Sequence, residues 1–438
     1  MKKRTASLLL ALLMVMFTLL TACGGTASDT AAATTAAPAA TTAATTAAPA
    51  TEAQEKVALT MASWRTDDKA QMDAFLGLYT SQVAPNVTIA FQPINPPDYN
   101  ATLRMQLESG TAPDLLYARS YGFGQDLFKA GFFADVSDVP GVKDNFSDSN
   151  KAPWQMPDGK MFAVPFAAVS HGVYYNKDIF DKVGISIPKT WDEFMANNKK
   201  LKDAGYTPLA NGLADQWDIL ETFFLGMLPN YVGGADQRVL YENGTKKIND
   251  QNFVDAYTDI ASVKPYLPNG FEAVTYNDSQ ALFSSEGAAM FVDGSWTISV
   301  YKDVTFKWGV FAIPPRAGKE NIITFHPDSA ITMNAATKHS KEAKDFLAWL
   351  ATEDGAKAAA ANLPTGFFPM IKFPVTLQDE HANEFLALNN GKKTDARFVW
   401  PVLMDQYTPM NNAVISVIKG DMTPQKAADS VLATIKAK

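Results

Sequence analysis

The sequence predicts an α/β protein of two lobes, each a mainly parallel sheet flanked by helices. Three observations carry that expectation. Apolar, β-branched runs alternate with helical stripes along the body of the chain, the order that builds parallel sheets covered by helices. The alternating part takes roughly 380 of the 438 residues, more than one usual domain. No unit of about 20–50 residues repeats, which excludes a solenoid.

The elements follow in order. Val57-Ala58-Leu59-Thr60-Met61-Ala62 is an apolar run and reads as the first strand. Met72, Phe75, Leu76 and Tyr79 recur at i, i+3, i+4, i+7 and predict an amphipathic helix. Val87 to Phe91 is β-branched and apolar, a second strand. Leu103 and Leu107 mark a helix stopped by Gly110, and Pro113-Asp114 introduces a third strand at Leu115-Leu116-Tyr117. Met161 to Pro165 leads into Gly172-Val173-Tyr174-Tyr175. Thr190-Trp191-Asp192-Glu193 has capping-box spacing, with Phe194 and Leu201 on the helix and Gly205 as its stop. Ala343, Phe346, Leu347 and Leu350 form another helical stripe. Thr423-Pro424 opens the last helix, with proline at the tolerated first position.

The N-terminus reads as processing rather than fold. Lys2, Lys3 and Arg4 precede an apolar stretch over 8–20 that is short for a membrane span. Leu20-Thr21-Ala22-Cys23 then resembles a bacterial lipobox, so residues 1–22 are expected to be a signal peptide and Cys23 the acylated first residue. Two acyl chains are what stable anchoring requires. Residues 26–55 hold 14 Ala and 9 Thr with Pro38 and Pro49; such a segment has no core to join, and 23–55 is expected to be a flexible tether. Nothing later has the length of a membrane span, so lipid is the only membrane contact expected.

Composition narrows the chemistry. Without Lys2, Lys3 and Arg4 the chain has 35 basic against 46 acidic residues, a balance of −11. An acidic body of this kind has no general attraction for nucleic acid or anionic lipid. The single cysteine excludes a disulfide framework, multi-cysteine metal sites and thiol catalysis. No G-x-S-x-G elbow, P-loop, G-x-G-x-x-G helix start or H-E-x-x-H is present, and His171, His326, His339 and His381 share no ligand spacing. No metal and no cofactor are expected. Two carboxylates placed by a fold leave no sequence motif, so a surface glycoside hydrolase or lyase stays open.

The body resembles the family-1 extracellular solute-binding proteins, carbohydrate receptors of ABC importers. Leu107 to Leu115 carries a small-Gly-x-x-Pro-Asp signature. Ala130 to Val136, Asp158 to Pro165, Tyr174 to Phe180 and Pro188 to Phe194 follow in the family's order. Phe283 to Trp296 gives F-x-x-x-G-A-A-M-x-x-x-G-S-W. The tracts around 230–244 and 367–374 match nothing in the family. The resemblance implies the periplasmic-binding-protein-like fold, two lobes joined by crossing hinge strands, the first crossing around Val164 to Tyr174. It places lobe 1 at 57–167 and 308–353 and lobe 2 at 168–307 and 354–438. It further implies a monomer on the outer face of the bacterial membrane, passing a mono- or oligosaccharide to permease subunits. A binding protein linked to a sensor shares the same fold.

Sugars offer apolar C–H faces rimmed by hydroxyls, so aromatic platforms and planar hydrogen-bonding groups are the residues to seek. Trp64 and Arg65 follow the first strand, where doubly wound sheets bind ligands. Arg119 and Tyr121 stand in the same place after the third. His171 lies in the expected crossing strand. Gln216 and Trp217 stand beside Asp215 before an apolar helix. Trp296 matches the family's stacking tryptophan, with Gly294 allowing close backbone approach. Asp114 reads as a turn or cap residue and Trp191 as structural. No residue is expected to be catalytic.

Overall fold

The computed structural model describes residues 55–435. The expected signal segment, Cys23 and nearly all of the tether lie outside the described residues. Strand β1 (Val57–Ser63) pairs in parallel with β2 (Val87–Pro93) and β3 (Leu115–Ala118). Between them run helices Lys69–Gln82 and Pro96–Ser109. The first buries Met72, Phe75, Leu76 and Tyr79, the expected stripe. The second ends on Gly110 at φ 71, a left-handed position that glycine fills without Cβ strain.

The strand β4 (Val164–Asn176) is 13 residues long and buried throughout. Farther on lie β5 (Met290–Gly294), β6 (Trp308–Phe311), β7 (Ile323–Met333) and the two-residue β8 (Phe368–Pro369) and β9 (Thr394–Asp395). The sheet order is β2-β1-β3-β7-β4-β5, with β6 and β8 on β4 and β9 on β7. β4 works in two halves. Val164 to Ser170 pairs with β7, and His171 to Asn176 pairs with β5 and β6. It therefore runs from one lobe into the other, which is the crossing that the sequence placed here. The fold is the two-lobe α/β one. Strand direction differs from the expectation: parallel ladders hold for β2-β1-β3, whereas every ladder made by β4 is antiparallel. The antiparallel partners β5, β6 and β7 all lie more than 100 residues after β4, so their direction is set by long-range pairing rather than by a βαβ repeat.

Two cores flank this arrangement. One gathers Leu59, Phe75, Tyr117, Trp154, Phe162 and Phe346; the other gathers Phe194, Leu220, Phe223, Phe253, Tyr257 and Val417. Val169 belongs to the first and Val173 to the second. In helix Trp191–Asp203, Thr190 accepts from the amide of Glu193, as expected. The carboxylate of Glu193 reaches past Thr190 to the amide of Lys189. Thr423 caps Pro424–Leu432. Asp114 accepts from the amide and hydroxyl of Thr60 and from the hydroxyl of Thr337, so it ties the start of β3 to the middle of β1 and to the turn after β7. Among the described residues no helix is long and apolar enough to cross a membrane.

Candidate functional site

The cleft is assembled from strand ends. After β1, the Ser63 hydroxyl accepts from the Arg65 amide at 3.0 Å. The Arg65 guanidinium grips Asp68 with two bonds, 2.5 and 2.8 Å, and donates to the carbonyl of Trp296 at 3.3 Å. After β3, the Arg119 guanidinium lies 3.8 Å from the centre of the Trp64 ring and 5.4 Å from that of Trp217. Its Nε donates to Asn100 at 3.3 Å. Burial lowers the pKa of Arg119 from its ordinary value. Trp64 is thus covered on its face by a cation and buried, and backs the arginine more than it offers a bare platform.

The opposite wall comes from two helical turns. A π-helix, Trp217–Phe224, begins at half-buried Trp217. A 3-10 helix, Ser295–Tyr301, follows β5 and carries Trp296. The indole N–H of Trp296 donates to the Tyr276 hydroxyl at 2.7 Å, which donates to Asp293 at 2.8 Å. Its ring folds back over Gly294, where a Cβ would stand 1.9 Å from the indole. Phe367, held by the left-handed Gly366, completes the side next to Arg65.

Between these walls lies a cavity of about 290 Å³, lined by Trp64, Arg65, Arg119, Trp217, Trp296 and Asp328 among others. A second chamber of about 420 Å³ continues from it, with Arg119, Gln216, Trp217 and Trp400 in its lining. Six residues singled out in the sequence therefore come together: Trp64, Arg65, Arg119, Gln216, Trp217 and Trp296. Two do not line either space. Tyr121 takes a positive φ of 57° and turns its half-buried ring against the second core. His171 is buried behind the wall, edge-on to Trp296 with centroids 5.2 Å apart. It accepts from Arg397 Nε at 3.2 Å, and burial together with that guanidinium keeps its pKa well below the usual histidine value.

Sequence reasoning missed two central residues. Arg397 is almost wholly buried, pairs with Glu221 and lies 4.3, 5.2 and 5.6 Å from the centres of Trp400, Trp296 and Trp217. Its one signal was a charge placed directly before the apolar run Phe398-Val399-Trp400. Asp328, on β7, is buried, lines the cavity and makes no hydrogen bond among the described residues. Burial raises its pKa, opposed by Arg397, Arg119 and Arg65. Following Pro327, it has the look of a turn residue in sequence.

The site thus offers indoles beside an open acceptor, Asp328, and an open donor, Arg119. That set holds a hydroxyl-rich, uncharged molecule by stacking and hydrogen bonds. Among the described residues no cluster of three or more His, Cys, Asp or Glu is disposed to hold a metal ion.

Against known proteins, the profile of the bacterial extracellular solute-binding proteins matches residues 62–357. The multiple sugar-binding protein of Streptococcus mutans serotype c is 27% identical over 303 residues, 65% of this chain and 70% of that protein. A solved structure from work on xylan utilization by Caldanaerobius polysaccharolyticus aligns with a TM-score of 0.77 at 20% identity, over 86% of this chain and 100% of that one. RafE in complex with raffinose aligns with a TM-score of 0.71 at 21% identity, over 86% and 98%. These structural likenesses establish the fold.

Proposed function

The chain belongs to the bacterial extracellular solute-binding proteins, and we propose that it captures a mono- or oligosaccharide between its lobes for an ABC importer. The observation that carries the reading is the cleft itself: Trp217 and Trp296 face a cavity in which Arg119 and Asp328 are left to bond a ligand. The sugar-binding names of the relatives support it. In this reading the protein binds and does not turn over its ligand. It works as a monomer and hands the sugar to permease subunits. It stands outside the cell, tethered through lipid on Cys23 after loss of 1–22. The lobe borders follow the crossings. We place lobe 1 at 57–167 and about 325–353 and lobe 2 at 168 to about 324 and 354–438, the return moved from 308 to about 325 because β6 pairs with the second half of β4.

A thermal-shift screen of the purified protein against sugars, amino acids, polyamines and metal salts tests the ligand class. A ligand at about 100 times its Kd stabilises by about 2.7 kcal/mol. A sugar is expected to raise the melting temperature without release of new reducing ends. Steady release of reducing ends would favour the hydrolase instead, and a response to amino acids alone would end the sugar reading. For the anchor, Cys23→Ala is expected to abolish detergent-dependent membrane association. A processed Cys23→Ala protein that stays in the membrane contradicts lipidation.

A further inference from the structure

The turn that joins β3 to the helix Gly122–Lys129 holds a bulky residue in a backbone shape that suits glycine. Tyr121 has φ 57° and ψ −136°, and a positive φ on a residue with a large side chain is strained. Lobe 1 pins this turn. The Tyr121 amide donates to the Pro153 carbonyl at 2.8 Å, and Gly124 packs so closely that a Cβ there would stand 2.3 Å from the Arg119 carbonyl. Glycine stands at 122 and at 124, yet the strained residue itself is aromatic. Glycine would serve the backbone at no steric cost, so the ring has a use of its own. That ring leaves its own lobe. Among the described residues, every other member of the second core and of the layer packed on it lies between 173 and 435; Tyr121 alone comes from ahead of the crossing. Burial raises the pKa of its hydroxyl to about 12, and the charges that act on it, Arg238, Asp395 and Glu242, all belong to lobe 2. The next residue meets the same lobe: a Cβ on Gly122 would lie 4.0 Å from that of Met404.

We propose that Tyr121 is a clasp between the lobes, a positioning residue outside the cavity whose ring seats on lobe 2 only when the cleft is shut. The inference rests on capture by closing lobes, as proposed above. Arg119 stands two residues before Tyr121 on the same pinned turn, and its guanidinium lies 5.4 Å from the centre of the Trp217 ring. Seating the ring therefore fixes how far Arg119 reaches across the cleft. The strained backbone agrees with this role, because such residues persist where the surrounding structure holds them, and they gather at clamps and switches. Tyr121 lines neither chamber, so the clasp acts on the closing equilibrium and shifts the affinity of every ligand by the same factor.

The test needs no ligand. Gly122→Cys and Met404→Cys are combined in a Cys23→Ala chain, which has no other cysteine. A Cβ separation of 4.0 Å is within the range that a disulfide spans. The rate of disulfide formation under glutathione disulfide then reports how often the lobes are shut. Tyr121→Ala and Tyr121→Gly are each expected to slow it about tenfold, the worth of one partly buried aromatic ring. Tyr121→Phe should leave it unchanged. Glycine takes the same backbone shape without strain, so Tyr121→Gly separates loss of the ring from distortion of the turn. The clasp is overturned by a Tyr121→Gly protein that cross-links as fast as its parent, by a Tyr121→Phe protein as slow as Tyr121→Ala, or by a cysteine pair that never bonds. Small-angle scattering of the oxidised and reduced parent tells this failure from that of the closing reading. If the oxidised protein is the more compact and the rates ignore residue 121, the clasp alone falls. If the two radii are equal, the lobes do not part, and capture by closure falls with it.

Discussion

A Cβ on Gly294 would stand 1.9 and 2.1 Å from Cζ3 and Cη2 of Trp296, so one hydrogen atom's worth of space decides where the cleft's indole lies. Gly294→Ala should push the ring into the cavity. An overpacked site of this kind costs about 1–3 kcal/mol of stability. Loss of a central aromatic anchor costs about 2 kcal/mol of binding, roughly thirtyfold in Kd. The clash is separable from other harm by a double-mutant cycle. In a Trp296→Ala background there is no ring to displace, so Gly294→Ala should then be nearly neutral in melting temperature. An equal loss in both backgrounds refutes the steric account. At this scale the sequence was informative where chemistry and position coincide. Trp64, Arg65, Arg119 and Trp217 stand just after strands or before a helix, and Trp296 follows two small residues. Asp328 was illegible because Pro327 before it gives it the look of a turn residue, and Arg397 because its partner lies far away in the chain. Arg397 meets Glu221 across 176 residues, and no local pattern records that.

The π-helix Trp217–Phe224 shows how an element places a site. Its wide turn sets Trp217 and Glu221, four residues apart, along one chamber, and such turns are frequent at functional sites. Asp218 anchors it. The carboxylate accepts from Asn211 Nδ2 at 2.6 Å, the Gly212 amide at 2.7 Å and Ser279 Oγ at 2.5 Å. Burial outweighs these bonds and pushes its pKa up to about 8. Burial likewise raises Asp293, beneath Tyr276, to about 7. The protonated acid is chemically at home: Ser279 Oγ also lies 3.2 Å from the Thr275 carbonyl, so it can donate there and accept from Asp218. An unfolded carboxyl ionises near its ordinary value of about 4. Between that value and about 7 to 8, the folded chain holds protons that the unfolded chain has released. Stability from these groups is therefore full below about pH 4, is lost steadily as pH rises, and is gone once pH has passed about 7 for Asp293 and about 8 for Asp218. Melting temperature is expected to fall from about pH 4 to about pH 8 and to level off above that, and Asp218→Asn should flatten part of that slope. A flat or rising profile contradicts the protonated pair. The helices of the first lobe could be read from periodicity, whereas β7 could not. It carries Pro327 and Asp328 in its middle and pairs with β4 through shifted register, features that look like a turn when read locally.

Across the whole molecule, the two-lobe architecture was legible from alternation and length, but not the antiparallel ladders at its waist. Those ladders depend on pairing between β4 and strands more than 100 residues away, a relation that periodicity does not encode. They also set how the lobes can move. β4 changes partners between Ser170 and His171, and β7 moves from β9 to β4 between Thr324 and Phe325. Backbone rotation concentrated at such crossings turns one lobe on the other. Contacts between the walls include the bond from Arg65 to the Trp296 carbonyl and the Arg119 guanidinium beside Trp217. A ligand favours a closed arrangement only by its differential affinity, which on the proposed reading comes from touching Arg119 and Trp217 at once. Small-angle scattering should therefore give a larger radius of gyration for the ligand-free protein than for the saturated one. The ligand-bound curve should match the arrangement described above. Arg119→Ala removes one wall's contribution, so it should weaken binding while keeping compaction at saturation. A radius unchanged by saturating sugar would mean a preformed, rigid cleft, and the crossings would then be structural joints without a hinge.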